Sequence, residues 1–158
     1  MNYLIIPGLR EFIDLQCRAL GRAPPKRSHV TFCYYGRSTP WMGLIAQGKV
    51  DTPCRAIRAF KEEIYNHLKN MSEGERTVTV SNYEVFNTRR GKLLVAKIIV
   101  SEQISNLRKM IYDKYNIKDH IVDYNPHVTL GAPGILFASG LFPKIPKNKF
   151  IITGLEFH

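Results

Sequence analysis

Apolar positions recur along this chain with two different periods, and the switches between them outline its elements. Residues 2–6 are a short apolar run that predicts an opening strand. Leu9, Phe12, Ile13, Cys17 and Leu20 then fall at helical spacing, which predicts a helix over 9–20. Gly21 ends it, because glycine enters the left-handed backbone of a helix stop without steric cost. Residues 21–28 read as a basic, proline-bearing loop, 29–35 as a strand, and 36–50 as a long irregular connection containing Trp41. A second helix starts near Thr52, with Pro53 suited to a first turn whose N–H groups lack helical partners anyway. Its buried stripe is Ile57, Phe60, Ile64 and Leu68. After a turn at 71–75, strand character returns at 77–81, 83–87 and 92–100, and Arg89, Arg90 and Gly91 turn the chain between the last two. Ser101 caps a third helix with the stripe Ile104, Leu107 and Ile111. Residues 127–131 are a further strand, 132–149 a loop rich in Gly, Pro and Lys, and 150–157 a closing strand.

The order is β-α-β, then α-β-β-β-α-β, then a loop and a last strand. Helices mix with hairpins, so the expected class is α+β. The chain has 158 residues and no clear linker, which suits one domain over 1–158 with a sizeable core.

Within this pattern one short sequence occurs twice. His29, Val30 and Thr31 are followed by Phe32; His127, Val128 and Thr129 are followed by Leu130. Side chains two apart on a strand share a face. Each histidine therefore looks the same way as its threonine, while Val30 with Phe32, and Val128 with Leu130, face a core. A lone histidine so placed is usually structural, but a repeat with the same flanks is harder to assign to packing. Histidine and threonine also suit a buried apolar face poorly, since their polar groups need partners there. Both motif strands lie downstream of a helix, which suggests two similar lobes across a cleft holding two imidazoles and two hydroxyls.

The paired His-x-Thr motifs resemble the signature of the 2H phosphoesterase superfamily, the LigT-like and cyclic-phosphodiesterase-like group. Asn125, Pro126, His127, Val128, Thr129 and Leu130 are close to that family's Pro-His-x-Thr-Leu form. The first copy departs slightly, with Phe32, Cys33, Tyr34, Tyr35 and Gly36 in place of a more aliphatic run. Tyr83 to Phe86, a turn, 93–100 and a helix are similar to the family's β-β-α segment, so the resemblance covers nearly the whole chain. It implies a bilobal fold of two antiparallel β-sheet lobes, flanked by helices, around a central groove. It also implies phosphodiester cleavage without a metal or other cofactor, with His29, Thr31, His127 and Thr129 as catalytic residues. Several viral and phage members of that superfamily remove 2′–5′ oligoadenylates or cyclic nucleotide signals of host immunity, and a short basic chain is compatible with that role.

The chemistry of the residues agrees. An imidazole with an ordinary pKa of about 6.5 can be neutral or protonated near neutral pH. A neutral ring takes a proton from water or a ribose hydroxyl, a protonated one gives a proton to the leaving oxygen, and threonine hydroxyls donate to the phosphate oxygens. Which histidine plays which part stays open. Tyr35, on the groove face of the first motif, is a candidate to bind substrate, and Trp41, Tyr124, Tyr3 and Phe142 are candidates to stack on a base. Arg89, with Arg90 and Lys92, is placed to reach phosphates from a hairpin turn.

A formal net charge of +10 favours polyanionic partners in general. The expected partner is a small nucleotide or oligonucleotide, with no membrane and no obligatory protein partner, the chain acting as a monomer. No apolar run reaches the roughly 20 residues of a membrane span, and residues 1–8 lack a signal peptide's basic flank and long apolar stretch. Cys17, Cys33 and Cys54 form an odd set without Cys-x-x-Cys spacing, which predicts reduced thiols in the cytoplasm, a host's if the protein is viral. Cys33 shares the face of His29 and Thr31, as a small filler rather than a nucleophile. His67 reads as an exposed helix residue and His120 as a loop residue. With the terminal His158 they form no recognised ligand spacing, so no metal site is expected. The rival reading is a non-catalytic RNA-binding module of related shape, although no Lys/Arg-Gly-aromatic RNA-binding pattern occurs. A cellular RNA-processing cyclic phosphodiesterase or 2′–5′ ligase is a further alternative.

Overall fold

A computed structural model describes residues 2–34, 48, 53–115, 117 and 124–157. The described chain is α+β, with two antiparallel sheets, one of them strongly curled into a half-barrel. Strands β1 (Asn2–Ile5), β2 (Val30–Cys33) and β7 (Gly154–Phe157) form the first sheet in the order β2-β1-β7. Strands β3 (Thr77–Thr88), β4 (Gly91–Ile99), β5 (His127–Gly131) and β6 (Asn148–Ile151) form the second in the order β5-β4-β3-β6. Helices α1 (Leu9–Ala19), α2 (Pro53–Lys69) and α3 (Glu102–Lys114) supply the helical packing, and α4 (Ile135–Ala138) is a single short turn. Helix α2 contacts β7, and α3 contacts β2. No helix among the described residues is long and apolar enough to cross a membrane.

Local signals place the helices well. Gly21 adopts a φ of +69°. Its N–H bonds to the Arg18 carbonyl while the Arg22 N–H reaches back to Cys17, the paired bonds that close a helix through a left-handed residue. The Ser101 hydroxyl accepts the Ile104 N–H, as an N-cap should. Phe60, Ile64 and Leu68 on α2 are buried together with Ala56, whereas Ile57 is only half-buried. The core is continuous: Ile13 of α1, Val30 and Phe32 of β2, Ile64 of α2, Leu94 of β4, Ile104 and Ile111 of α3 and Val128 of β5 all belong to it.

Four boundaries differ from the sequence pattern. The first motif strand is shorter than 29–35: it begins at Val30, so His29 sits just before it, while Tyr35 lies outside the described residues. Residues 77–88 are one strand rather than two, because an irregularity between Val80 and Tyr83 shifts the pairing with β4 without ending it. The loop after β5 contains α4. Residues 150–157 belong to two strands in different sheets. There the Ile152 N–H bonds to Arg76, beside the second sheet, and the next N–H, of Thr153, bonds to Ile5 of the first. Ile152 itself is fully buried at this crossing. A Cβ on Gly154 would stand 3.2 Å from the Tyr65 hydroxyl and 3.6 Å from Ile5, so the crossing is closely packed.

Helices α2 and α3 are joined by one polar cluster. The Glu63 carboxylate accepts Lys114 Nζ at 2.5 Å and also the Tyr115 hydroxyl. Burial alone would raise the Glu63 carboxyl, but the hydrogen bonds from Lys114 and Tyr115, with the charges of Lys114 and His67, outweigh it and hold it below the usual glutamate value. A lowered folded-state pKa stabilises the fold above the ordinary glutamate range, and the contribution is lost as pH falls through the folded value. Glu63→Gln should therefore lower the unfolding temperature at pH 7 and flatten its fall between about pH 5 and 3. Thermal unfolding followed across that range checks this.

Candidate active site

The first motif lies on the edge of its sheet. Among the described residues β2 pairs only with β1, through Tyr3 opposite Thr31 and Leu4 opposite Val30. Its partly buried Thr31 alternates with buried Val30 and Phe32. The Asn2 side-chain oxygen accepts the Cys33 N–H at 2.8 Å, and Cys33 is fully buried. Cys17 is buried as well, and Cys54 is exposed. Directly opposite Thr31, Tyr3 lays its ring on that of His29, with centroids 4.1 Å apart at 31°. Tyr3 is thus a support for the histidine.

An edge strand offers backbone groups that no strand partner takes. Here side chains bond them. Arg108 of α3 donates from Nε to the Phe32 carbonyl at 2.9 Å and from a terminal nitrogen to the Tyr112 hydroxyl at 3.0 Å. That hydroxyl accepts the Tyr34 N–H at 3.0 Å and donates to the Tyr34 carbonyl at 3.2 Å. The Tyr124 hydroxyl donates to the Thr31 carbonyl at 2.7 Å. The Arg108 guanidinium lies over the rings of Tyr112 and Tyr124, 4.1 and 4.7 Å from their centroids. Planar, delocalised and weakly hydrated, it suits this buried position as an ammonium would not.

The second motif is also on an edge strand, β5. Its residues alternate as expected: His127, Thr129 and Gly131 are half-buried, Val128 and Leu130 buried. His127 Nδ1 lies 2.8 Å from the Asn125 carbonyl. A carbonyl can only accept, so Nδ1 carries the proton and the neutral ring keeps its lone pair on Nε2. The ring packs edge-to-face on Phe86, with centroids 4.9 Å apart. Each motif histidine thus leans on an aromatic ring, Tyr3 for His29 and Phe86 for His127. Lys97 is the register partner of His127 on β4 and pairs with Glu84 at 3.5 Å, placing a cation beside this motif.

The edge strands of the two sheets approach each other, β2 against β5. Next to them opens a cavity of about 590 Å³, whose wall takes Thr31 from the first motif and His127 from the second. Arg108, Tyr34, Phe86 and Tyr124 complete much of the wall. His29 and Thr129 belong to the same two motifs but do not line this cavity.

The recognition residues expected from the sequence divide three ways. Tyr124 lines the cavity, with its hydroxyl committed to Thr31. Arg89 sits exposed in the β3–β4 turn, outside the cavity wall, although its neighbours Asn87 and Thr88 are part of that wall. Tyr35 and Trp41 lie outside the described residues, as do His120 and His158. Phe142 packs against Phe137 away from the cavity. His67 is exposed on α2.

Arg108, Tyr112 and Phe86 carry much of the site, and the sequence reading passed over them. Arg108 could have been found: it is four residues after Ile104 and three before Ile111, so it falls on the buried stripe of α3. A charge at such a position signals a polar network. Among the described residues no group of three or more His, Cys, Asp or Glu side chains is placed to hold a metal. Comparison with protein-family models and with curated proteins finds no match to the chain.

Arg108→Met removes the donor to the Phe32 carbonyl and the donor to the Tyr112 hydroxyl in one step. It should lower stability by about 1–3 kcal/mol, the usual cost of stranding buried polar groups. Arg108→Lys, which keeps the charge without the planar fork, should recover only part of that. Urea unfolding of the three proteins checks the order.

Proposed function

We propose that the protein is a phosphodiesterase of the two-histidine type, working without a metal on a small nucleotide or short oligonucleotide. The observation that carries this reading is the approach of β2, which follows directly on His29, to β5, which carries the second motif, with Thr31 and His127 in one cavity wall. The bond cleaved is one involving a ribose 2′ oxygen: a 2′,3′-cyclic phosphate, a 2′–5′ linkage or a cyclic oligonucleotide. One imidazole takes the proton of the attacking water or ribose hydroxyl as its oxygen bonds to phosphorus. The other gives a proton to the departing oxygen as its bond to phosphorus breaks. The threonine hydroxyls donate to the non-bridging oxygens, where negative charge grows. Neutral His127, with Nδ1–H held by Asn125, presents Nε2 as a base; when protonated, the same nitrogen is an acid. Resemblance to the 2H phosphoesterases in the two motifs supports the same reading, and removal of a 2′–5′ oligoadenylate or cyclic nucleotide signal is the role we favour within it.

The test is a turnover screen in EDTA with 2′–5′ and 3′–5′ oligoadenylates, 2′,3′-cyclic mononucleotides and cyclic di- and trinucleotides. Wild type should cleave at least one 2′-linked or cyclic substrate. His29→Ala and His127→Ala should each lose about 10²–10⁴-fold in kcat while folding and binding persist. Activity abolished by EDTA, or left intact in either variant, contradicts the mechanism. Binding of oligonucleotides with no turnover of any substrate favours a non-catalytic RNA-binding module.

A further inference from the structure

Thr31 and His127 lie on different sheets, yet a three-residue segment ties them together. At its start, the Tyr124 hydroxyl donates to the Thr31 carbonyl at 2.7 Å. One residue later, the Asn125 carbonyl holds His127 Nδ1 at 2.8 Å. Next, the Pro126 carbonyl accepts the Ile98 N–H of β4 at 3.0 Å. Residues 124–126 are therefore pinned to β2, to the histidine ring and to β4 in turn. The Tyr124 ring is itself held: the Arg108 guanidinium lies over it, and Phe32 meets it edge-to-face at 83°. Burial pushes the Tyr124 phenol well above its usual value, with the Cys33 thiol adding to the rise and Arg108 opposing it, so the hydroxyl remains a donor.

Resting on the phosphodiesterase reading above, we propose that Tyr124 is a positioning residue. Its hydroxyl fixes where the segment leading into β5 sits against the first motif, and so fixes the Asn125 carbonyl that sets the tautomer and direction of the His127 ring. This assigns Tyr124 a different task from stacking on a base. A stacking ring needs an open face, and Arg108 takes one of the two. A positioning tyrosine needs its oxygen, which bonds to Thr31.

The two tasks separate cleanly in Tyr124→Phe, which keeps the ring and its packing and removes only the oxygen. With a 2′–5′-linked triadenylate as probe, positioning predicts a fall in kcat of about tenfold or more, in keeping with the sensitivity of catalysis to small misplacements, and an unchanged KM. Stacking predicts the reverse pattern: Tyr124→Phe behaves as wild type, and Tyr124→Leu raises KM. A second arm does not depend on turnover. Nitrogen-15 NMR of the histidine side chains, without ligand, should show His127 as the Nδ1–H tautomer in wild type and a mixture of tautomers in Tyr124→Phe. A tautomer ratio unchanged by the Phe substitution overturns the proposal, whatever happens to turnover. If wild-type protein cleaves no substrate of the panel while the ratio shifts as expected, the phosphodiesterase reading falls and the assignment of Tyr124 to the His127 ring stands.

Discussion

The site depends on how the outer edge of β2 is satisfied. An edge strand leaves backbone groups that must find partners or water. Here Tyr124, Arg108 and Tyr112 bond the carbonyls of Thr31, Phe32 and Tyr34, and Tyr112 takes the Tyr34 N–H as well. Side chains serve where a fourth strand would otherwise pair. A strand added at this edge would extend the first sheet and stand between it and β5. Bonding by side chains instead leaves β2 and β5 as two separate edges that meet, which is what brings one residue of each motif to the same cavity.

The same bonds explain why a charged residue is tolerated inside. Arg108 is almost fully buried, and burying a guanidinium is costly unless hydrogen bonds and ring faces replace its water. It receives both, from Phe32, Tyr112 and the ring of Tyr124. Its position on the buried stripe of α3 ties that helix to the motif strand. The packing that supports α3, through Ile104, Leu107 and Ile111, therefore also supports the site.

Much of this was legible in the sequence where a simple period governs it. The alternation of His127, Val128, Thr129 and Leu130 is the burial pattern of β5, and the helix stop at Gly21 and the cap at Ser101 follow from backbone chemistry confined to a few residues. What escaped depends on contacts distant in sequence. The split of 150–157 between two sheets rests on the bonds of Ile152 to Arg76 and of Thr153 to Ile5, which no local pattern encodes. Tyr124 was legible as a residue of interest but its bond to Thr31 was not, because that carbonyl is 93 positions away. Arg89 looked suited to phosphate because arginine in a turn is free to reach. The cavity instead draws its arginine from a helix face.

In the mechanism we propose, two imidazoles exchange protons with the substrate, and the pH dependence of kcat/KM in EDTA for the best substrate of the screen tests this. Two histidines in opposite protonation states predict a bell with both limbs between about pH 5 and 9, since one ring must be neutral and the other charged. A profile that is flat across that range contradicts a two-histidine mechanism.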